Sequence, residues 1–188
     1  MGVSDSVKRA MKLAEEALKK IGYDVVPVKF DQAIFKKASW YFMGMVANNM
    51  INGTIRDFKI EGETMLKPLQ NNTLILTSTG PKRYLIDFLL KYVLNKRRAF
   101  DLLNGLRVRS DPVEYEKFLK ERFEFVFEVS ELWQKLGITA LVMPIWPHCA
   151  VESKNYEALG MVVEYSLIWN VVGFPSGVLP VTKVLESE

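Results

Sequence analysis

The sequence predicts an α/β protein, on three observations. Residues 138–145 form a continuous apolar run, as expected of a strand covered on both faces. A helical stretch over 156–172 and a second apolar, β-branched run over 178–184 complete a strand–helix–strand unit, normally parallel with a right-handed crossover. Near the other end, an amphipathic helix over 5–21 leads into Tyr23–Phe30, where Val25, Val26 and Val28 favour a strand.

The elements follow in order. Val7, Met11, Ala14, Leu18 and Ile21 recur at spacings of three and four and form one apolar stripe. Ser4 or Ser6 can cap that helix and Gly22 can end it. Glu15–Lys19 and Glu16–Lys20 are favourable i,i+4 pairs on its wet face. Asp31 can cap a second helix reaching Asn52-Gly53, rich in Phe35, Trp40, Tyr41, Phe42, Met43 and Met45. Residues 54–72 are polar and read as an irregular connection. Pro81 suits the start of a helix running to about 95. A long helix is expected over 111–136, capped by Ser110, with Pro112 in its first turn and Gly137 as its stop. Its expected core stripe is Tyr115, Leu119, Val126, Val129, Trp133 and Leu136.

Composition bounds the function. The 188 residues are 49% hydrophobic and 25% charged, with a net charge of +3, which is globular rather than disordered. The length suits one domain over 1–188 with a sizeable core. One cysteine, Cys149, excludes an internal disulfide framework, and one histidine, His148, argues against a multi-histidine metal site. No cofactor is expected. No stretch of about 20 apolar residues is present, so no transmembrane helix is expected. The start of the chain lacks the basic-then-apolar layout of a signal peptide.

Charge is concentrated in one place. Residues 81–109 hold eight basic side chains against two acidic ones, a net +6, so the remainder of the chain is negative. Within this stretch Tyr84, Leu85, Ile86, Phe88, Leu89, Leu90, Tyr92, Val93 and Leu94 leave only Arg83, Asp87 and Lys91 as a narrow polar stripe. A helix apolar almost all round is buried, either in a core or in a lipid surface whose anionic headgroups meet the basic flanks. On the second reading Tyr84, Leu85, Phe88, Leu89, Tyr92, Arg97 and Arg98 bind the membrane. A nucleic-acid partner is not expected, since the basic groups adjoin aliphatic surface and no recognition motif occurs.

No complete catalytic constellation is visible. Ser176, in Phe174-Pro175-Ser176-Gly177, has no evident base, and a serine nucleophile needs one within hydrogen-bond reach. Glu61 and Glu63 read as solvated loop carboxylates, and Cys149 as a small apolar residue.

The stretches Leu136-Gly137-Ile138-Thr139-Ala140-Leu141-Val142-Met143-Pro144 and Trp169-Asn170-Val171-Val172-Gly173-Phe174-Pro175-Ser176-Gly177-Val178-Leu179-Pro180-Val181-Thr182 resemble the C-terminal half of an amidase-signature enzyme of the fatty-acid amide hydrolase type. The resemblance covers essentially the whole chain, with insertions near 54–80. It implies a mixed sheet covered by helices, with 81–109 as an apolar helical membrane cap. It implies hydrolysis of fatty-acyl amides to fatty acid and amine, on the cytoplasmic side of membranes, in a peripheral or monotopic protein. Phe42, Met43, Val163 and Leu167 fall where the family lines its acyl channel, and Leu74 and Leu102 are further candidates. The family's lysine and two serines lie in a Gly/Ser-rich stretch that has no counterpart here, so no catalytic residue is assigned to this chain. The expected partners are a fatty-acyl amide substrate, a membrane surface, and either a second copy or a complementing N-terminal half. The alternatives are a non-catalytic lipid- or membrane-binding module and a fragment without function of its own.

Overall fold

A computed structural model of the chain describes residues 2–49, 53, 55–64, 78, 80–93, 104–106, 108–109, 111–152 and 164–186. Among these residues the secondary structure is helical: α1 (Asp5–Lys20), α2 (Gln32–Asn49), α3 (Ile55–Glu61), α4 (Gly80–Phe88) continued by a π-helical turn (Leu89–Val93), α5 (Pro112–Leu136) and α6 (Glu164–Val172). No strand occurs among them, which corrects the α/β expectation and its mixed sheet.

None of the three expected strands forms. Val142, Ile145, Val178, Leu179, Val181 and Val184 are exposed, where strands buried on both faces were expected, and Tyr23 and Val26 of the alternating segment are exposed too. A strand exists only if its N–H and C=O groups find a neighbouring strand. An apolar, β-branched composition makes a segment fit for that pairing but does not supply the partner.

The chain divides into two compact units, one of residues 1–35 and 128–188, the other of residues 36–127. The first unit holds α1, the C-terminal end of α5, and α6. α1 starts at Ser4, whose hydroxyl pairs with that of Ser6 at 3.0 Å rather than capping the helix. Gly22 follows it at φ 96° and Gly137 follows α5 at φ 64°, left-handed conformations that glycine adopts without a Cβ penalty. Val129, Leu167, Ile168 and Val171 are buried in this unit. Beside them Trp133, Trp169 and Phe174 form an aromatic cluster, with ring centroids 5.2 Å apart for Trp133–Phe174 and 6.1 Å for Trp133–Trp169. The Trp169 indole N–H donates to the Met143 sulfur at 2.7 Å. The Arg9 guanidinium donates to Thr182 Oγ1 at 3.1 Å and to the Lys183 carbonyl at 2.7 Å, tying the C-terminal segment to α1.

The second unit packs most of α2 against the first half of α5. Asp31 does cap α2, its carboxylate accepting the Ala33 N–H at 2.9 Å. Asp111 caps α5 in the same way, accepting the Val113 N–H at 3.0 Å; Ser110 lies outside the described residues. Ala38 and Ala47 are buried on α2, and Phe118 and Phe125 on α5. Tyr41 lies against both rings, with centroids 5.7 Å from Phe118 and 5.3 Å from Phe125. The α5 core face is therefore Phe118, Phe125 and, in the other unit, Val129. Of the expected stripe, Val129 is buried, Tyr115, Leu119, Val126 and Trp133 are half-buried, and Leu136 is exposed; Phe118 and Phe125 join it as core.

Gly44 makes the α2–α5 packing tight. A Cβ there would lie 2.5 Å from Phe118 Cζ and 3.0 Å from an Arg109 guanidinium nitrogen. Phe118 cannot swing aside, because Tyr41 and Tyr115 hold it. Gly44→Ala is accordingly expected to destabilise this unit by about 1–3 kcal/mol through overpacking. A urea unfolding midpoint equal to that of the unsubstituted protein would contradict this packing.

Candidate functional site

The candidate site is the surface of α4 and its π-helical turn. Arg83 and Asp87, one helical turn apart, form an ion pair with Nε 3.2 Å from Oδ1 and 3.4 Å from Oδ2. Both side chains are half-buried, as are Ile86 and Leu90. The opposite face carries Tyr84 (78% exposed), Leu85 (58%), Phe88 (55%), Leu89 (39%), Tyr92 (65%) and Val93 (60%). The periodicity in the sequence identified both faces. Of the polar stripe, Arg83 and Asp87 are half-buried and Lys91 is exposed, while the apolar face is exposed.

Local chemistry holds this arrangement. Phe88 and Tyr92 form a tilted pair with centroids 5.4 Å apart, and the Lys91 ammonium lies 5.2 Å from the Tyr92 ring centre. The π-helical turn Leu89–Val93 carries Tyr92; such turns are frequent at functional sites. Exposed Lys82 and Lys91 put positive charge at both ends of the apolar face. Arg97 and Arg98 lie outside the described residues.

Two energetic terms can act on a lipid surface. Each fully buried apolar side chain contributes about 1.5–3 kcal/mol. Each lysine near an anionic surface contributes about 1 kcal/mol, screened by salt. With six apolar side chains against two lysines, the apolar term dominates. Among the described residues no helix is long and apolar enough to cross a membrane, so the face suits lying in the interface rather than spanning it.

The acyl-channel candidates are distributed. Phe42 and Met43 are adjacent and half-buried on α2, in the second unit. Gly105 lets the chain approach them closely, since a Cβ there would lie 2.9 Å from Met43 Cβ. Leu167 is core in the first unit, and Val163, Leu74 and Leu102 lie outside the described residues.

The remaining polar groups assemble no catalytic centre. The Ser176 hydroxyl, exposed, donates to the Phe174 carbonyl at 3.2 Å. Ser6 Oγ lies 2.7 Å from Cys149 Sγ and 3.0 Å from Ser4 Oγ, a pairing across 143 positions that no local pattern signals. Lys19 holds the Glu15 carboxyl below its ordinary value, chiefly by a 2.6 Å hydrogen bond and then by its charge; the pair is solvated. No cluster of three His, Cys, Asp or Glu side chains fit to hold a metal occurs among the described residues. Sequence reasoning also missed the burial of Arg109, which belongs by position to the basic flank of the apolar helix.

Comparison with known proteins identifies no relative: no protein-family model, no curated protein and no solved structure matches this chain.

Proposed function

We propose that the chain attaches to lipid surfaces through α4 and its π-helical turn, and that it is the membrane-facing, acyl-binding part of an amidase-signature hydrolase acting on fatty-acyl amides. The observation that carries the attachment is the outward apolar face of Tyr84, Leu85, Phe88, Leu89 and Tyr92 beside an inward ion pair. Water is a poor environment for such a face, and a contiguous exposed apolar patch marks an interaction site. The flanking lysines, and the +6 charge of residues 81–109, fit an anionic lipid interface.

The hydrolase part of the reading is supported by the resemblance of residues 136–144 and 169–182 and by the half-buried apolar pair Phe42 and Met43 on α2. A fatty acyl chain gains about 0.8 kcal/mol per buried CH₂, so apolar walls are all its channel requires. The family's nucleophile and base lie in a Gly/Ser-rich stretch that has no counterpart among these residues.

Two experiments test the proposal. Incubated alone with a long-chain fatty amide, the chain is expected to release no fatty acid. Turnover lost on Ser176→Ala would overturn this and make Ser176 a nucleophile. In a vesicle co-sedimentation assay, Arg97→Ala with Arg98→Ala is expected to weaken binding to anionic vesicles only, by about 1 kcal/mol per residue at low salt. Equal weakening on neutral vesicles would show that these arginines act otherwise than by charge.

A further inference from the structure

The half of α5 that belongs to the second unit buries one side and leaves an apolar seam on the other. Phe118 and Phe125 are core. At 100° per residue, Phe123 and Phe127 lie on the far side of the helix from them, 56% and 67% exposed, with Val113 at 72% on the same side. Val113, Glu116, Lys120, Phe123 and Phe127 are spaced alternately by three and four, the spacing of a helix–helix seam. Polar groups at two of these seam positions lower affinity and fix register.

The charges on this face say what covers it. Glu116, Lys117, Lys120 and Glu124 are all exposed, and none of them makes an ion pair among the described residues. Glu116 and Lys120, like Lys120 and Glu124, stand four apart on the helix, where pairing within the helix is open to them. Two acidic and two basic groups leave the face neutral, unlike the basic flanks of α4, so it does not suit an anionic lipid surface. The two lysines lie toward the start of the seam and Glu124 toward its end. Such a face is complementary to itself when reversed, which is what a two-fold interface requires.

We propose that the outward face of α5 is a dimer interface between two copies of this chain, with the two α5 helices antiparallel about an axis near residues 121–122. Lys117 and Lys120 then lie opposite Glu124 of the second copy, twice by symmetry. The two Phe123 rings meet near the axis, and Phe127 packs beside Val113 and the Glu116 stem of the second copy. The seam over residues 113–127 is about 22 Å long at about 1.5 Å per residue. That is a small interface, so the dimer is weak and concentration-dependent. The inference rests neither on lipid attachment through α4 nor on the hydrolase reading.

Sedimentation velocity of the full chain, at low salt and at concentrations rising to the millimolar range, tests it. The expected result is a monomer–dimer equilibrium. Phe123→Ser with Phe127→Ser is expected to weaken association about tenfold or more, with the helix content by circular dichroism unchanged because both side chains are exposed. Two charge variants test the pairing at exposed positions. Glu124→Lys, and separately Lys117→Glu with Lys120→Glu, are each expected to be monomeric, since each sets like charges opposite one another. An equimolar mixture of the two is expected to dimerise, since every opposed pair is then attractive. A chain monomeric throughout, a dimer as strong in the phenylalanine variant, or charge variants that associate no better mixed than alone would overturn the proposal. Vesicle binding lost in the phenylalanine variant with sedimentation unchanged would also overturn it, and would give this face to lipid.

Discussion

Replacing Leu85 and Leu89 together with glutamate is expected to release the protein from lipid vesicles even at low salt. Both residues lie on the outward face of α4 and its π-helical turn. The substitution removes two apolar groups, each contributing about 1.5–3 kcal/mol when fully buried. It also places two carboxylates at a surface that repels them if the lipid is anionic. Together these terms predict a loss in partitioning of roughly a hundredfold or more, at about 1.4 kcal/mol per factor of ten. The fold should survive, because the side chains that hold the helix, Arg83 and Asp87, are untouched. Vesicle flotation with circular dichroism on the same samples separates release from unfolding. A double variant that floats as well as the unsubstituted protein would mean that this face covers a protein partner instead.

Phe125→Ala is expected to produce the largest loss of stability. Its ring is 2% exposed and lies 5.3 Å from that of Tyr41. Truncating a buried phenylalanine costs about 3–5 kcal/mol, from lost transfer energy and the cavity left behind. Domains are stable by only about 5–15 kcal/mol, so much of the margin would go. Urea unfolding followed by tryptophan fluorescence measures the effect, with Trp40 on α2 as a reporter inside the affected unit. A shift below about 1 kcal/mol would show that the α2–α5 core is not built around this ring.

The parts of the fold that were legible in the sequence are those set by local chemistry. α1 starts and stops within a residue of its expected limits, because Gly22 and the spacing of Val7, Met11 and Leu18 act within a few positions of one another. The same holds for Asp31 before α2 and Gly137 after α5. Residues 138–145 and 178–184 were misread because pairing is a property of two segments, and an apolar run looks the same with or without its partner. α3 was hidden in a polar stretch without apolar periodicity. For α4 the period of the two faces was evident, but which face turns inward depends on neighbours that no helical period encodes. Arg109 illustrates the same limit. In a run of basic residues it reads as a solvated charge, whereas Asn48, 61 positions away, and Phe118 draw it inside.

The central claim is that the apolar face of α4 enters lipid, and accessibility of a nitroxide label tests it most directly. With Cys149→Ser removing the native thiol, cysteine is introduced in turn at Leu85, Phe88 and Ile86, labelled, and measured on anionic vesicles. Leu85 and Phe88 are exposed and lie on the outward face; Ile86 is half-buried on the other side of the helix. The account predicts that labels at 85 and 88 become accessible to oxygen dissolved in the acyl region and protected from a water-soluble nickel chelate when vesicles are added, while the label at 86 changes little. Labels at 85 and 88 that stay open to the nickel chelate with the protein bound to vesicles would contradict it, because the protein would then be held by some other surface.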